Sequence, residues 1–564
     1  MEKIWLRHYS AGVPAEIDLN EYTSVNDMLA RSCRKFAQLP AFRNMGETIT
    51  FAQLDRLTRD FAAWLRSLPG MGTGSRVALM MPNVLQYPVA LFGILRAGMI
   101  VVNVNPLYTA RELEHQLDDS GAEVIVVLEN FAHVLEKALP HTQVKHVVVT
   151  QVGDLFRPHR RWIVNFAIKR VKKMVRQWNI KGALKFRTAL QRGSALEFEE
   201  GAPSHDDIAF LQYTGGTTGV SKGAILTHRN LIANLLQAKA WIQSGLEEGR
   251  ECMVTALPLY HVFSLTVNCL LCVQLGALNL LITNARDMAG MVRELKHARF
   301  TLISGVNTLY NSLMNTAGFA DIDLSRLKLS MAGGAAVQRV VAERWRAMTN
   351  VSILEGYGLT ETSPLVTSNP MQSEYTGSIG MPMPSTEVGI RDDDGRELPV
   401  GAEGEIWVRG PQVMKGYWRK PEETANAITP EGWLRTGDIG RMDEMGFIRI
   451  TDRKKDMILV SGFNVYPNEI ESVLATHPDV LECAVIGVPD LVTGEAVKAF
   501  VVSKNPELTA ETLVRFCRQN LTNYKTPKNV EFRVDLPKTP VGKILRRELR
   551  PPSQAQSTAA LSQQ

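Results

Sequence analysis

The chain has 564 residues, of which 45% are apolar and 21% are charged, and its net charge is +5 at neutral pH. This composition excludes a wholly disordered chain, a collagen and a heptad rod, and so weak a positive bias indicates no nucleic-acid binding. Because the length exceeds the roughly 250–300 residues that one hydrophobic core usually spans, we expect two or more domains.

The first half alternates between predicted helices and continuous apolar strands. Thr50 followed by Gln53 is a capping-box pattern, which predicts a helix from here to Leu65. The same reading predicts a helix at 112–120 and strands at 76–81, 123–128 and 145–150. Strands that are apolar along their whole length are buried on both faces, so the pattern predicts parallel sheets covered by helices on both sides.

The segment 157–187 contains eleven Lys or Arg residues and no Asp or Glu. Its apolar residues recur at spacings of four and three, which predicts one helical stripe. The stripe comprises Val164, Ile168, Val171, Val175 and Trp178, and Trp162 and Phe166 add aromatic bulk. A basic amphipathic insert of this kind suits an anionic bilayer, so we expect a cytoplasmic protein that associates peripherally with the inner face of the cell membrane. A helix whose stripe packs on the protein, and a nucleic-acid contact, are the alternatives.

The longest apolar runs, at 87–104 and 264–283, are interrupted by glycine or polar residues, so we interpret them as buried helix-to-strand segments. The first residues lack an apolar core of about 7–15 residues, so no secretion signal is expected. Cys269 and Cys272 lie among apolar residues, which favours buried thiols in a reducing cytosol over a metal site.

The pattern changes in the second half of the chain. Alternating apolar and polar residues predict a smaller, more antiparallel unit within 380–450, and a compact α+β unit follows. That unit has a helix at 469–475, strands at 482–488 and 497–502, and a helix at 510–519. We therefore predict an N-terminal domain of residues 1–452, a C-terminal lobe of residues 453–550 and a disordered tail of residues 551–564.

The segment YTGGTTGVSKG, residues 213–223, is the densest concentration of chemical groups. Glycines let backbone N–H groups face an anion, while threonine hydroxyls and a lysine add donors and positive charge. This predicts a phosphate loop comprising Thr214, Gly215, Gly216, Thr217, Thr218, Gly219 and Lys222. It is not a Walker A loop, because Gly223 rather than Ser or Thr follows the lysine. An ordinary P-loop ATPase or kinase is therefore disfavoured.

The loop resembles the phosphate signature of adenylate-forming enzymes, which include acyl-CoA synthetases, firefly luciferase and peptide-synthetase adenylation domains. Six further segments resemble motifs of that family in the same order: PLYH at 258–261, MAGGA at 331–335, EGYGLTET at 355–362, WLRTGD at 433–438, DRKKD at 452–456 and PKTPVGK at 537–543. Residues 85–122 and 431–455 are similar to the fatty-acyl-CoA synthetases, and to the bacterial long-chain ligases in particular.

The resemblance implies an α/β fold with a large N-terminal lobe of layered parallel sheets and helices plus a small β unit, followed by a small, mobile α+β C-terminal lobe. It also implies a two-step reaction. A long-chain fatty acid and ATP give acyl-AMP and pyrophosphate, and CoA then gives acyl-CoA and AMP, with Mg²⁺ as cofactor. The alternatives are a medium-chain or aryl-acid CoA ligase, and a non-catalytic membrane-associated lipid-binding scaffold. The oligomeric state stays open, a homodimer included.

The resemblance assigns roles at the matching positions. Lys543, Glu361 and His261 are the implied catalytic residues, and Thr214 and Glu361 are the implied Mg²⁺ ligands. Nucleotide contacts are implied for Gly334, Ala335, Glu355, Gly356, Tyr357, Gly358, Thr360, Asp438 and Arg453. Within that set Tyr357 would stack on adenine, and Asp438 and Arg453 would bind the ribose.

The remaining implied roles concern the hinge, CoA and the acyl chain. Lys455 matches the hinge position, and Ser461, Gly462 and Phe463 would approach CoA. The implied acyl pocket comprises Val306, Asn307, Gly333 and Leu359. Leu265 stands where some long-chain relatives have an aromatic gate, which puts that kind of gating in doubt. A packed core residue is the alternative for His261 and Tyr357, and an exposed lysine for Lys455.

Overall fold

The computed structural model describes residues 2–214, 221–371, 373–461 and 463–550. The strands are β1 (Pro40–Asn44), β2 (Glu47–Thr50), β3 (Arg76–Met80), β4 (Ile100–Asn103), β5 (Val124–Leu128), β6 (His146–Thr150), β7 (Leu184–Lys185), β8 (Ile208–Tyr213), β9 (Gly223–Thr227), β10 (Cys252–Thr255), β11 (Leu278–Leu281), β12 (Leu302–Gly305), β13 (Leu329–Ala332), β14 (Ile353–Gly358), β15 (Leu365–Ser368), β16 (Met381–Pro382), β17 (Glu387–Arg391), β18 (Gly404–Arg409), β19 (Gly416–Tyr417), β20 (Leu434–Met442), β21 (Ile448–Arg453), β22 (Ile458–Val460), β23 (Phe463–Val465), β24 (Val480–Asp490), β25 (Gly494–Ser503) and β26 (Asn529–Phe532). The α-helices are α1 (Val25–Lys35), α2 (Phe51–Arg66), α3 (Gln86–Arg96), α4 (Ala110–Ser120), α5 (Ala132–Ala138), α6 (Pro158–Phe166), α7 (Phe186–Ser194), α8 (His228–Ile242), α9 (Leu271–Gln274), α10 (Met288–Leu295), α11 (Asn307–Met314), α12 (Arg339–Thr349), α13 (Pro421–Ala427), α14 (Pro467–Leu474) and α15 (Ala510–Asn520).

Two large sheets form the first lobe. One has the order β16-β15-β14-β13-β12-β10-β11-β1-β2, and the other has the order β19-β9-β8-β4-β3-β5-β6-β7. The interior strands of both are parallel, and antiparallel pairs lie only towards the edges, as between β14 and β15 or β8 and β9. The prediction of parallel sheets with helices between their strands is confirmed.

Two smaller sheets follow along the chain. β17, β18, β20 and β21 form an antiparallel sheet, and β22–β26 form a second sheet with α14 and α15 packed near it. The antiparallel unit predicted within 380–450 and the later α+β unit are therefore both present. β21 ends at Arg453 and β22 begins at Ile458. The domain boundary predicted at 452/453 thus falls at the end of β21 and stays a prediction, while the tail of residues 551–564 lies outside the described residues.

The main core lies between the two large sheets. Every residue of α3 is buried, and the buried faces of α1, α2 and α8 pack into the same core. The predicted capping box is present at Thr50, whose hydroxyl accepts from the Gln53 N–H while the Gln53 side chain accepts from the Thr50 N–H. Across the described ranges, no helix combines the length and apolar content that crossing a bilayer requires.

The basic segment departs from the predicted single stripe. α6 continues as a π-helical turn, Ala167–Val171, and the helix ends there, so Val175 and Trp178 are not on it. Val164 and Ile168 pack against the main core, Trp178 packs against a different cluster, and Val171 is exposed. The prediction of one stripe is wrong because the i→i+5 turn breaks the 3.6-residue period on which it relied.

Candidate active site

The carboxyl ends of the adjacent parallel strands β13 and β14 carry two of the motifs. Gly334 follows β13 with φ of +78°, a left-handed conformation that favours glycine, and Gly334 and Ala335 are exposed on this turn. At the end of β14, a Cβ on Gly358 would lie 1.7 Å from the Pro364 carbonyl oxygen. Only glycine therefore permits the tight reversal that places the turn Thr360–Thr362, with Glu361, at the strand end.

β14 also carries Glu355, Gly356 and Tyr357 to this edge. The Glu355 carboxylate accepts from the Val337 N–H at 2.8 Å, and burial raises its pKa to about 7. The contact joins the strand that carries Tyr357 to the segment that follows Ala335. The motif at the end of β13 and the motif on β14 are therefore directly connected.

Tyr357, Asp438 and Arg453 are in direct contact. The Tyr357 hydroxyl donates to Asp438 Oδ2 at 2.6 Å, and Arg453 Nε lies 3.0 Å from Asp438 Oδ1. Asp438 and Arg453 are opposite each other in the register of β20 and β21. Asp438 is 2% exposed, and these two donors give its buried carboxylate the hydrogen-bond and ion-pair partners that burial requires. The geometry brings together three residues that the sequence predicted around the nucleoside.

Lys543 joins this group from the last part of the described chain. Its carbonyl accepts from the Thr539 N–H at 2.7 Å, and the Thr308 hydroxyl donates to the Gly542 carbonyl at 3.2 Å. Burial and the positive charge of Arg453 lower the pKa of Lys543 to about 8. Burial, together with the charge of Lys543, lowers the pKa of His261 to about 4. Lys543 and His261, predicted as catalytic, therefore lie in one electrostatic neighbourhood.

Lys455, the predicted hinge residue, lies near Arg453 and Asp438 as well. Desolvation and the neighbouring Arg453 lower the pKa of its ammonium to about 8. Arg546 links two acidic residues near Lys455. Its guanidinium donates to Glu471 Oε2 at 2.8 Å and lies 3.6 Å from Asp452. Burial raises the pKa of Asp452 to about 6. Sequence reasoning missed this network because its members are up to about a hundred residues apart.

The base of the phosphate loop is closed by the β8–β9 hairpin. The Thr214 N–H donates to the Lys222 carbonyl at 3.0 Å, and the Ser221 hydroxyl donates to the Thr214 carbonyl. Thr214 and Lys222 are therefore held at the two ends of the loop. The predicted Gly215, Gly216, Thr217, Thr218 and Gly219 lie outside the described residues.

Glu361 is held by a segment that sequence reasoning did not identify. The Tyr417 hydroxyl donates to Glu361 Oε1 at 2.7 Å, and the Met414 N–H donates to the Glu361 carbonyl at 2.8 Å. Burial and the carboxylate of Glu361 hold the pKa of Tyr417 well above its usual range, so the hydroxyl remains a donor. The signal was the GYW sequence at 416–418, but nothing local connects it with Glu361.

The predicted acyl-pocket residues directly follow the ends of β12, β13 and β14. A Cβ on Gly333 would lie 3.1 Å from the Gly356 carbonyl oxygen and 3.4 Å from the Phe263 ring. Val306 is buried, and Asn307 accepts from the Gln338 N–H at 3.0 Å. Leu359 is half-buried and packs on the main core. Leu265 is buried within the π-helical segment Ser264–Leu270 that follows His261.

The described CoA-side residues, Ser461 and Phe463, make contacts within the C-terminal lobe. The Ser461 N–H donates to the Thr493 carbonyl at 2.8 Å, and the Phe463 ring stacks on Tyr524 with centroids 4.8 Å apart. Both partners belong to the same lobe as Ser461 and Phe463. Gly462 lies outside the described residues.

Two protein-family models match the chain. The family model described as AMP-binding enzyme matches residues 29–418, and the AMP-binding enzyme C-terminal domain matches residues 469–543. The chain is 59% identical to the long-chain-fatty-acid–CoA ligase of Yersinia pestis and 58% identical to that of Escherichia coli O6:H1, each over 98% of both chains. The crystal structure of the anthranilate CoA ligase AuaEII with anthranoyl-AMP is similar with a TM-score of 0.84 and 28% identity, covering 96% of this chain and all of that one.

Proposed function

The chain belongs to the AMP-binding enzyme family, and we propose how its residues catalyse the ligation of a long-chain fatty acid to CoA. The resemblance inferred from seven motifs is confirmed by the full-length relatives. The reaction uses a long-chain fatty acid, ATP and CoA as substrates and forms acyl-CoA and AMP. The observation that carries the residue-level proposal is the convergence of Lys543 with Asp438, Arg453 and His261.

In the first step the fatty carboxylate attacks the α-phosphorus of ATP and pyrophosphate leaves. Both reactants are anions, so their approach requires positive charge in a site with little water. The Lys543 ammonium stabilises the charge that develops between carboxylate and α-phosphate. Asp438 and Arg453 bind the ribose hydroxyls. Tyr357 packs on one face of the adenine ring, and Gly334 and Ala335 line the opposite face. His261, neutral because of its low pKa, lies beside the carboxylate.

The oxygens of Glu361 and Thr214 fit Mg²⁺, since a carboxylate and a hydroxyl are hard ligands of the kind this ion takes alongside phosphate oxygens and water. The Tyr417 hydroxyl bonds to Oε1 of Glu361, and we propose that Oε2 faces the ion. When bound, Mg²⁺ would neutralise part of the triphosphate charge. Lys222 supplies further positive charge from the other end of the loop.

In the second step the CoA thiol attacks the acyl-adenylate carbonyl and AMP leaves. We propose that the C-terminal lobe turns about Lys455, so that Lys543 leaves and Ser461 and Phe463 approach the thiol. The Ser461 N–H donates to the Thr493 carbonyl in the hairpin between β24 and β25, so Ser461 is tied to the lobe that would turn.

Exchange of radioactive pyrophosphate into ATP tests the function. It is expected only when a fatty acid is present, and to be faster with long chains than with medium-chain or aryl acids. A non-catalytic lipid-binding scaffold would show no exchange with any acid. Faster exchange with an aryl acid would contradict the long-chain assignment.

We propose further that the surface around α6 docks on the inner face of an anionic membrane. Trp162, Phe166 and Val171 are 67%, 47% and 69% exposed, and the two aromatic rings stack at 5.3 Å. Exposed basic residues flank them, namely Arg170, Lys172, Lys173 and Arg176. Contiguous exposed aromatic side chains beside positive charge fit lipid headgroups and the acyl boundary beneath them. The proposed docking surface therefore keeps Val171 of the predicted stripe together with Trp162 and Phe166. It leaves out Val164 and Ile168, which pack on the main core.

Replacing Trp162 and Phe166 together by alanine is expected to weaken binding to phosphatidylglycerol vesicles by about tenfold or more, because each ring loses apolar burial in the bilayer. Vesicle flotation measures it. The matched control replaces Leu491 and Val492, which are also highly exposed but lie on the β24–β25 hairpin. Unchanged flotation of the aromatic variant, or an equal loss in the control, would contradict the docking surface.

A further inference from the structure

A short segment, the strap of residues 414–424, contacts both Glu361 and Lys222, the two charged residues proposed to act on the triphosphate. It contains β19, which pairs with β9 so that Gly416 is opposite Ile225 and Tyr417 is opposite Ala224. β9 begins directly after Lys222. The strap then turns into α13, and the Thr424 hydroxyl of this helix accepts from the Tyr417 N–H at 2.9 Å. The strap is therefore fixed beside Lys222, at the described end of the phosphate loop.

The strap contacts both charged groups of the region. Tyr417 donates to Glu361, as described above, and its ring lies 5.3 Å from the Lys222 ammonium. The same ammonium forms an ion pair with Glu423 at the start of α13. Both side chains are only partly exposed, at 33% for Lys222 and 45% for Glu423. Lys222 is thus held between an aromatic face and a carboxylate of the strap.

We propose that Glu423 sets the affinity for ATP, by holding Lys222 through a carboxylate that the triphosphate must replace when it binds. The inference rests on the proposed function, in which Lys222 binds phosphate. A lysine ammonium is a point charge with three donors, so it can exchange one anion for another without rearranging the backbone. Glu423 is a positioning residue because it acts through Lys222.

Replacement of the Glu423 carboxylate by phosphate at Lys222 has a predictable effect on the affinity for ATP. In the free protein the carboxylate stabilises Lys222, and this stabilisation is lost when phosphate oxygens take the ammonium. Removing the charge of Glu423 therefore strengthens ATP binding, whereas a residue that only supports the fold would weaken binding or leave it unchanged.

Glu423→Gln keeps the size of the side chain and removes its charge. Isothermal titration with Mg·ATP is expected to show a Kd lower by about two- to fivefold, the range typical of a partly exposed ion pair. In pyrophosphate exchange, KM for ATP falls by the same factor while kcat stays unchanged. An unchanged or higher Kd, or a loss of kcat, overturns the proposal.

Glu422→Gln is the matched control. Glu422 is the preceding residue on α13, is exposed, and its substitution makes the same change in charge at the same helix end. The control is expected to bind ATP as the unmodified protein does. An equal gain in both variants would mean a general charge effect and would overturn the specific role of Glu423.

A double-mutant cycle separates Lys222 from other routes. If Glu423 acts through Lys222, Glu423→Gln no longer changes the ATP Kd when Lys222→Gln is already present. A gain that persists in that background would contradict the proposal. If the proposed function were wrong, the unmodified protein would bind ATP but would show no fatty-acid-dependent pyrophosphate exchange. The ATP Kd values of the double-mutant cycle would still show whether Glu423 acts through Lys222.

Discussion

Lys543→Ala is expected to slow acyl-adenylate formation by about 100- to 1000-fold, the loss typical when one preorganised charged or polar group is removed from a developing anion. Conversion of supplied acyl-adenylate to acyl-CoA is expected to fall far less, since AMP leaves in that step without a second anion approaching phosphorus. Pyrophosphate exchange measures the first half-reaction. Formation of acyl-CoA from synthetic acyl-AMP, followed by chromatography, measures the second.

The size of this effect follows from where Lys543 lies. Its ammonium is withdrawn from water beside Asp438 and Arg453, so its charge is less screened than a surface charge would be. It reaches that position on a loop held by Thr308 of the first lobe. This contact joins Lys543's loop to the first lobe in the arrangement that we propose for the first step, so adenylation is expected to lose more than thioester formation.

Lys504→Ala is the control, because Lys504 is an exposed lysine of the same lobe outside this neighbourhood. It is expected to leave both half-reactions unchanged. Equal losses in both half-reactions of Lys543→Ala would contradict a role in adenylation and would indicate damage to the lobe.

Features set by neighbouring residues could be predicted from the sequence. The helix that begins after Thr50 follows from a capping box whose members are three residues apart. The buried strands β3, β5 and β6 follow from apolar runs of five residues or so. The nucleotide motifs were identifiable because each is a short segment whose glycines and charged residues occur together.

Features set by distant residues could not be predicted. Glu361 and Tyr417 are 56 positions apart, and Lys222 and Glu423 are 201 apart. Each pair meets only because β19 joins the edge of a sheet built from the first half of the chain. Composition and periodicity carry no information about such pairings.

The basic segment shows the same limit on a smaller scale. A period of 3.6 placed Val164 and Val171 on one face, but a single π-helical turn separates them into a packed and an exposed residue. Whether a helix keeps its period depends on what it packs against, here the main core beneath Ile168. The exposed aromatic pair was visible in the sequence, but its orientation was not.

The adenylation kcat/KM for ATP is expected to fall tenfold for each pH unit above about 8, reaching a loss of about 100-fold near pH 10. The active form of Lys543 is the ammonium, and burial with the charge of Arg453 lowers its pKa from 10.5 to about 8. Below that value the ammonium predominates and the rate is flat; above it the protein loses the charge that brings carboxylate and phosphate together. Because kcat/KM reports the free enzyme, the pKa of the unliganded site is the one that applies.

Lys455 must be distinguished from Lys543, since its pKa also lies at about 8. Lys543→Arg keeps a charge that does not titrate below pH 12, so the remaining activity is expected to lose the fall above pH 8. Lys455→Arg makes the same chemical change at the hinge and is expected to keep that fall. If the pH profile flattens in Lys455→Arg instead, the group that must stay protonated is at the hinge, and Lys543 is not the cation that serves the first step.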